Sequence, residues 1–171
     1  MSFNFSSITD DLFIGTTPAV TDYDGLRELG IKLIINMRFG FRLEPDPHVP
    51  PIALLWLPTF DSPFFPMPLH KLMQGAHSAF RTIEDGGKVY VHCAYGRHRG
   101  VAMGACILVA QGYDPQEAMQ LIRDRRSIAD PFAFHIRPRI LRFAREWARY
   151  TGTGSFMPAQ KANRKDHTYE T

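Results

Sequence analysis

The chain has 171 residues, 44% of them hydrophobic and 22% charged, which is typical of a single folded domain with one sizeable core. The longest strongly apolar run, residues 101–110, is too short to cross a bilayer, and two cysteines do not make a disulfide framework. A net charge of +3 favours anionic substrates, but no basic run is interleaved with aromatic residues, so we expect no nucleic-acid partner.

Composition also sets expectations about location and bound groups. The first seven residues lack the basic region and the long apolar run of a secretory signal. We expect a cytoplasmic protein, because a reducing compartment protects a reactive thiol from oxidation. We expect neither a metal nor a cofactor, because His92, Cys93 and His98 are crowded into one loop with no second pair of ligands elsewhere. The oligomeric state stays open.

Apolar runs separated by turn residues predict strands and helices in the first part of the chain. Residues 8–14 have the pattern of a short edge strand with a polar start. Residues 31–37 and 52–57 have the composition of buried strands. Between the first two strands, Thr21 is the capping residue of a predicted helix that Gly30 ends.

Two loops and a second helix follow the same reasoning. Residues 38–51 carry four prolines and no apolar period, which predicts a loop. Residues 58–68 are predicted to form a second loop, stiffened by proline. Apolar residues then recur at helical spacing from Leu69 to Ile83, and Gly86 ends that helix.

The second half of the chain alternates in the same way. A strand over residues 88–91 precedes a buried helix over 101–110, and Asp114-Pro115 caps another helix. A loop over 127–131 leads to the last helix, whose inward face is predicted to carry Ile136, Ile140, Phe143, Trp147 and Tyr150. Such alternation indicates an α/β fold, a central and mostly parallel sheet flanked by helices. Loops that follow parallel strands should meet at one edge of that sheet.

The stretch His92-Cys-Ala-Tyr-Gly-Arg-His-Arg-Gly100 lies between a predicted strand and a predicted helix. At such a junction, loop N–H groups and the helix N-terminus can bind a phosphate. Arg99 can hold two phosphate oxygens through its planar fork. In the same positive field, Cys93 should be a thiolate and therefore a nucleophile. The alternative is an ordinary buried cysteine at the end of a core strand.

This stretch resembles the active-site signature of the protein tyrosine phosphatase superfamily, His-Cys-x5-Arg. Over about residues 8–150, the order of elements resembles that of the dual-specificity phosphatases. The resemblance implies a dual-specificity-phosphatase-like catalytic domain over residues 1–150, and we assign the polar residues 151–171 to a flexible C-terminal tail. It implies that the loop holds the substrate phosphate, through residues His92, Ala94, Tyr95, Gly96, Arg97 and His98. His92 is also expected to fix the backbone of Cys93.

Asp61 is the candidate general acid. It follows a predicted strand, 32 residues before Cys93, and the dual-specificity phosphatases carry their acid on the same loop at closely similar spacing. An acid is needed because an alkoxide or phenolate leaves poorly without a proton. The resemblance implies hydrolysis of phosphotyrosine, phosphoserine or phosphothreonine through a phosphocysteine. The alternative for Asp61 is a turn residue beside a proline.

The substrate and one departure from the family pattern stay open. Arg97 and His98 make the loop basic, which fits phosphoinositides or inositol phosphates as alternative substrates, unless they face solvent or carboxylates. Arg38 could also face the pocket. The apolar residues that flank Asp61 either form a rim for the substrate or pack the proline-rich loop onto the core: Phe60, Phe64, Phe65 and Met67. Most relatives have Ser or Thr where this chain has Gly100, which predicts slow breakdown of the intermediate.

Two other classes remain as alternatives. A rhodanese-like enzyme can carry Cys-x5-Arg followed by Gly, as this chain does, although the Asp61 loop and the later helices fit the dual-specificity order better. A phosphate-binding pseudophosphatase is supported by Gly100. The intact Cys93, Arg99 and Asp61 count against it.

Overall fold

The computed structural model describes residues 3–152 as a central five-stranded sheet with helices on both faces. The strands are β1 (Phe5–Ser7), β2 (Leu12–Gly15), β3 (Ile31–Arg38), β4 (Ala53–Thr59) and β5 (Lys88–His92). The helices are α1 (Tyr23–Glu28), α2 (Leu69–Glu84), α3 (Arg99–Ala110), α4 (Pro115–Arg125) and α5 (Arg137–Tyr150).

The strands lie in the order β1-β2-β5-β3-β4. Only β1 and β2 pair antiparallel, and the other three pairs are parallel. This arrangement confirms the predicted α/β fold with a mostly parallel sheet. The C-terminal ends of β3, β4 and β5 therefore lie side by side, and the loops that follow them meet at that edge.

The predicted edge strand over residues 8–14 is wrong in its position. The strand there is Leu12–Gly15, and it lies inside the sheet, between β1 and β5, with all four residues buried. The edge belongs to β1, Phe5–Ser7, which the sequence analysis missed. Three residues are too few to show an alternating pattern, and β1 exists because it pairs with β2.

Each central strand is buried on both faces, which explains the continuous apolar runs. Leu33 and Ile35 of β3 contribute to the larger core, together with residues of α2, α3, α4 and α5. Ile34, between them, contributes to a smaller core with residues of α1. Side chains alternate between the two faces along a strand, so one apolar run supplies both cores.

Helix α3 lies at the centre of the larger core. Every residue from Arg99 to Val109 is buried, and the helix packs against α2, α4, α5 and three strands. A Cβ atom at Gly104 would lie 2.3 Å from Ile14 Cδ1, so glycine is what allows this close contact with β2. Because α3 is surrounded, its first residue has a fixed position at the edge of the sheet.

Two predictions about helix ends and faces need correction. Helix α1 begins at Tyr23, after a 3-10 turn over Val20–Asp22, and the carboxylate of Asp22 accepts a hydrogen bond from Ala19 N–H (3.0 Å). Thr21 therefore does not open the helix. On α5, Tyr150 is 67% exposed, whereas the four other predicted inward residues are buried. The part of the predicted tail that follows Gly152 lies outside the described residues.

Other predicted boundaries are confirmed. Gly30 ends α1 with a φ of 85°, in the left-handed region that favours glycine. Asp114 caps α4 and accepts hydrogen bonds from Gln116 N–H (2.7 Å) and Glu117 N–H (3.4 Å). Between positions 3 and 152, none of the helices has the length and apolar character that a membrane span requires.

Asp46 organises the proline-rich loop between β3 and β4. Its buried carboxylate accepts hydrogen bonds from Ile52 N–H (2.7 Å) and His48 N–H (3.1 Å) and pairs with the Arg27 guanidinium. Burial alone would raise the pKa of Asp46, but the hydrogen bonds from Ile52, His48 and Arg27 outweigh it and hold the pKa well below its usual range. The ionised carboxylate thus stabilises the folded loop.

We expect Asp46→Asn to lower the free energy of unfolding at pH 7 by about 2–3 kcal/mol, the cost of weakening charge-assisted hydrogen bonds in a buried site. The exposed Asp10→Asn is the matched control and should change little. Because the folded-state pKa of Asp46 is depressed, its contribution is present above the unfolded pKa and is lost as the pH falls below about 4. Urea unfolding of both variants at several pH values measures this. An Asp46→Asn deficit that did not shrink in acid would contradict the assignment.

Candidate active site

The Cys93 loop joins the C-terminal end of β5 to the N-terminus of α3. The strand–loop–helix junction predicted from the sequence is therefore confirmed. Cys93 is only 1% exposed, yet it borders a cavity of about 350 Å³. The cavity is lined by Asp61, Pro63, Cys93, Tyr95, Arg97, His98 and His135. Three loops contribute these residues: the one after β4, the Cys93 loop and the one before α5.

Arg99 is the first residue of α3 and is 8% exposed. Its Nη1 donates hydrogen bonds to the carbonyl oxygens of Thr59 (2.9 Å) and Met37 (3.4 Å), at the ends of β4 and β3. Its Nε lies 3.5 Å from Asp61 Oδ2. The guanidinium is thus held by two strands and one carboxylate, which fixes the plane of its fork within the site.

Asp61 lies against the Cys93 loop, as the topology argument predicts. Its Oδ1 is 3.2 Å from His98 Nδ1 and 3.7 Å from His135 Nε2. Its side chain is 29% exposed. Asp61, which lies far upstream in the sequence, therefore shares a cavity with Cys93 and an ion pair with Arg99.

The Cys93 loop turns at Gly96, where φ is +61°. A Cβ atom at this position would lie 2.7 Å from both Arg126 Nη2 and the Gly15 carbonyl oxygen. Any larger residue would therefore meet a strained backbone conformation and a steric clash at once. The close approach also brings the outer side of the loop into contact with Arg126.

Arg126, at the end of α4, is 3% exposed. Its Nε donates to the Gly96 carbonyl (2.8 Å) and its Nη2 to the Tyr95 carbonyl (3.2 Å). A peptide C=O and the N–H of the next residue point in opposite directions. Because Arg126 holds the carbonyls on the outer side, the N–H groups of Gly96 and Arg97 point to the inner side of the loop, where an anion would bind.

Burial lowers the pKa of Arg126, and the neighbouring Tyr90 and Cys93 act in the opposite direction. No feature of the local sequence distinguishes Arg126. Two adjacent arginines, Arg125 and Arg126, end an amphipathic helix and resemble an ordinary solvated face. The two arginines differ in burial, because Arg126 is buried and Arg125 is exposed.

His92 precedes Cys93 and is fully buried. Burial lowers its pKa to about 3, although its contact with the backbone of Cys93 acts in the opposite direction. The imidazole is therefore neutral, and among residues 3–152 neither ring nitrogen has a hydrogen-bond partner of ordinary geometry. The expected contact of His92 with the backbone of Cys93 is present.

The remaining loop residues occupy distinct positions. Tyr95 is 74% exposed at the cavity mouth, and Ala94 is partly buried. Arg97 and His98 both line the cavity, and His98 meets the carboxylate of Asp61. Arg38, which could have faced the pocket, instead donates from Nη1 to Thr17 Oγ1 (3.0 Å) and stacks on Phe41.

An exposed aromatic cluster flanks Asp61. The ring centroids of Phe39 and Phe60 are 4.1 Å apart, and those of Phe60 and Phe65 are 5.5 Å apart. Phe64 is 85% exposed beside them. Phe39, Phe60 and Phe65 line a neighbouring cavity and not the one that Cys93 borders, so the apolar rim is not confirmed. Met67 is buried in the larger core, where it anchors the loop before α2.

His135 is the cavity residue that the sequence analysis missed. It lies in the hydrogen-bonded turn before α5, and its ring contacts that of His98, with centroids 5.0 Å apart. A single histidine in a loop shows no spacing or period. Its placement depends on the fold of the 126–136 segment, which Asp130 N–H ties to the Arg97 carbonyl (3.0 Å).

Known proteins share both the sequence and this fold. No family model matches the chain. Dual specificity phosphatase 28 of Mus musculus is 30% identical over 128 residues, which cover 74% of this chain and 76% of that protein. The chain therefore belongs to the dual-specificity phosphatase family, and its relatives are phosphatases. This membership decides against the rhodanese-like alternative.

Solved structures agree on the fold. A crystal structure of a mouse dual specificity phosphatase complexed with zinc tungstate has a TM-score of 0.74 and 25% identity, and the match covers 91% of this chain and 93% of that one. PTPMT1, crystallised in complex with PI(5)P, has a TM-score of 0.72 and 24% identity, with 88% and 99% covered. The protein tyrosine phosphatase fold expected from the signature is thereby confirmed.

We expect Arg126→Lys to reduce kcat/KM for an aryl phosphate by roughly 10–100-fold, the cost of misplacing a substrate-binding group by about 1 Å. Lysine keeps the charge but cannot hold two carbonyls through one fork. The neighbouring, exposed Arg125→Lys is the control and should match the wild type. Phosphate release and thermal unfolding are measured together. Equal activity in the two variants would show that the loop keeps its shape without Arg126.

Proposed function

We propose that this protein is a cysteine-dependent phosphatase that hydrolyses phosphate monoesters on proteins through a phosphocysteine intermediate. The observation that carries the proposal is that the fold brings three side chains near one another. Cys93 and Asp61 line one cavity, and Arg99 Nε lies 3.5 Å from Asp61 Oδ2. Nucleophile, phosphate-binding fork and proton donor are the three groups that this reaction needs.

In the first step, the Cys93 thiolate attacks phosphorus and forms a P–S bond while the bond to the leaving oxygen breaks. Loop N–H groups and Arg99 stabilise the charge on the other phosphate oxygens. Asp61, protonated at this stage, donates its proton to the leaving oxygen. Its position over the cavity supports this assignment, since the loop after β4 brings it to the side of the Cys93 loop.

In the second step, Asp61 is a carboxylate and acts as a base. It accepts a proton from a water molecule, whose oxygen attacks phosphorus. The P–S bond breaks, Cys93 leaves as a thiolate and inorganic phosphate is released. The nearby helix N-terminus favours the returning negative charge on sulfur.

A second candidate substrate is a phosphoinositide or inositol phosphate. The basic side chains of Arg97 and His98 line the cavity, where extra phosphates of such a ligand would meet them. PTPMT1, which shares the fold, was crystallised with PI(5)P. Arg97→Ala separates the candidates, because it should reduce kcat/KM for a soluble phosphoinositide more than for a phosphotyrosine peptide.

The proposal is tested by phosphate release from a small aryl phosphate in the presence of a chelator. Wild type should turn over, Cys93→Ser should be inactive, and Asp61→Asn should be slower by about 10²–10⁴, the range for losing a general acid. Cys106→Ser is the control, since Cys106 is buried within α3 and away from the cavity lining.

The opposite pattern would overturn the proposal. A wild type that binds phosphate analogues tightly but releases no phosphate would favour the pseudophosphatase alternative. Turnover that survives Cys93→Ser would require a different nucleophile.

Gly100 is expected to slow the second step. A Cβ atom there would lie 3.4 Å from Cys93 N, in ordinary van der Waals contact, so a serine fits beside the sulfur-bearing residue. A hydroxyl at this point would stabilise the leaving thiolate. We expect Gly100→Ser to raise the steady rate and to shrink the initial burst, whereas Gly100→Ala, with no hydroxyl, should not. Rapid-quench kinetics measures both phases, and equal rates in the two variants would contradict this role.

A further inference from the structure

We propose that Asp61, His98 and His135 form a Zn²⁺ site, and that the bound ion inhibits the phosphatase by occupying the carboxylate of Asp61. The inhibitory part of this inference rests on the proposed function, because it requires Asp61 to be the proton donor. The binding part does not. It depends only on three side chains that the fold brings together at the cavity.

The distances between the ligand atoms fit a small tetrahedral ion. Asp61 Oδ1 lies 3.2 Å from His98 Nδ1 and 3.7 Å from His135 Nε2, and all three atoms lie within 4.8 Å of one another. With metal–ligand distances of about 2.0–2.1 Å, tetrahedral geometry places ligand atoms about 3.3 Å apart. Two of the three separations are close to this value already. The third separation is that between His98 Nδ1 and His135 Nε2, and a small rotation of the two imidazoles would shorten it to the same value.

The donor set selects the kind of metal. Two imidazole nitrogens and one carboxylate oxygen suit Zn²⁺, whereas Mg²⁺ and Ca²⁺ are bound by oxygen ligands. Three protein ligands with one open position are the arrangement of zinc sites that accept water or another group. The three ligand residues line the cavity that Cys93 also borders.

The neighbouring groups leave the ligand atoms available. Arg99 Nε lies near Oδ2 of Asp61, so Oδ1 is the oxygen that faces both histidines. On His135, Nδ1 is buried and finds no hydrogen-bond partner in the described part of the chain, while Nε2 faces Asp61. His98 presents Nδ1 to the same oxygen. One nitrogen of each ring therefore points to a common centre.

The three ligands are held by separate elements, which makes the site preorganised. His98 precedes the first turn of the buried helix α3. His135 lies in a turn closed by the hydrogen bond from Ile136 N–H to the Ala133 carbonyl (2.9 Å). The Asp130–Arg97 backbone hydrogen bond ties these two segments together. Binding therefore requires little ordering of the chain.

The consequence for the reaction follows from the ligand set. While Asp61 Oδ1 coordinates Zn²⁺, the positive charge of the ion opposes protonation of the same carboxylate, so Asp61 cannot carry the proton that the leaving oxygen needs. The ion also occupies the mouth of the cavity beside Arg97 and Tyr95. Removing Zn²⁺ would return Asp61 to its proton-donor function, so the ion acts as a reversible inhibitor.

Binding is measured first, on chelator-treated protein, by titration with Zn²⁺ against a fluorescent zinc chelator. Co²⁺ then replaces Zn²⁺, and its visible absorption reports tetrahedral coordination. His135→Ala and His98→Ala should each weaken Zn²⁺ binding by more than about tenfold, because one of three ligands is lost. His77→Ala, which removes an exposed imidazole on α2, is the matched control and should bind like the wild type. Mg²⁺ should not compete.

Cys93→Ser separates this site from coordination by the catalytic sulfur. We expect it to keep Zn²⁺ affinity within about threefold of the wild type, since the three ligands are intact. Loss of binding in Cys93→Ser but not in His135→Ala would overturn the proposal, and so would equal binding by wild type and His135→Ala. Both readouts remain valid if the protein releases no phosphate at all, so failure of the proposed function is recognised separately.

Inhibition is measured by aryl phosphate hydrolysis in buffered Zn²⁺. Wild type saturated with Zn²⁺ should fall to about the rate of metal-free Asp61→Asn. The ratio of rates without and with the ion should be much smaller for His135→Ala than for His77→Ala at the same Zn²⁺ concentration. Tight Zn²⁺ binding that depends on His135 but leaves the wild-type rate unchanged would overturn the inhibitory part of the inference.

Discussion

The buried guanidinium of Arg126 holds the Cys93 loop from the side away from the cavity, and the geometry of the site depends on this contact. Its hydrogen bonds to the Tyr95 and Gly96 carbonyls determine which way the peptide groups of the loop face. Without a donor there, those carbonyls would be buried and unsatisfied, and the loop would rearrange to hydrate them. The left-handed turn at Gly96 is compatible with this contact because it leaves room for the guanidinium.

A second arginine fixes the opposite side of the site. Arg99 begins a helix that is buried along nearly its whole length, and its Nη1 is held by carbonyls at the ends of β3 and β4. The same guanidinium contacts Asp61 on the loop after β4. Arg99 therefore links the ends of β3 and β4, the N-terminus of α3 and the loop that carries Asp61. This link explains why side chains on different loops lie at fixed distances from one another.

Asp61 has two kinds of neighbour, and they give it two kinds of chemistry. Arg99 on one oxygen belongs to the proposed phosphate site, whereas His98 and His135 on the other oxygen belong to a ligand set for a transition metal. Both arrangements use the same carboxylate, so they exclude one another at the moment of proton transfer. The exposed aromatic cluster of Phe39, Phe60 and Phe65 includes the residue directly before Asp61.

Much of this arrangement was predictable from neighbouring residues. The apolar runs at β3 and β5 and the apolar helix α3 indicated the core, and the spacing of Cys93 and Arg99 indicated the loop for which we propose anion binding. Predictions failed where an element has no pattern of its own. β1 is defined by its partner strand, and α1 begins after a 3-10 turn that composition does not show.

The sequence by itself determined the strand–loop–helix junction, because residues that are consecutive in the chain carry both its hydrophobic pattern and its chemistry. Only the tertiary structure decided that Arg126 and His135 belong to the site, and that Met67 belongs to the core instead of the rim. Arg126 and His135 show no local period, and their positions follow from the packing of α4 and α5 against α3. Contacts between distant segments depend on the shape of the whole core, which no short stretch of sequence contains.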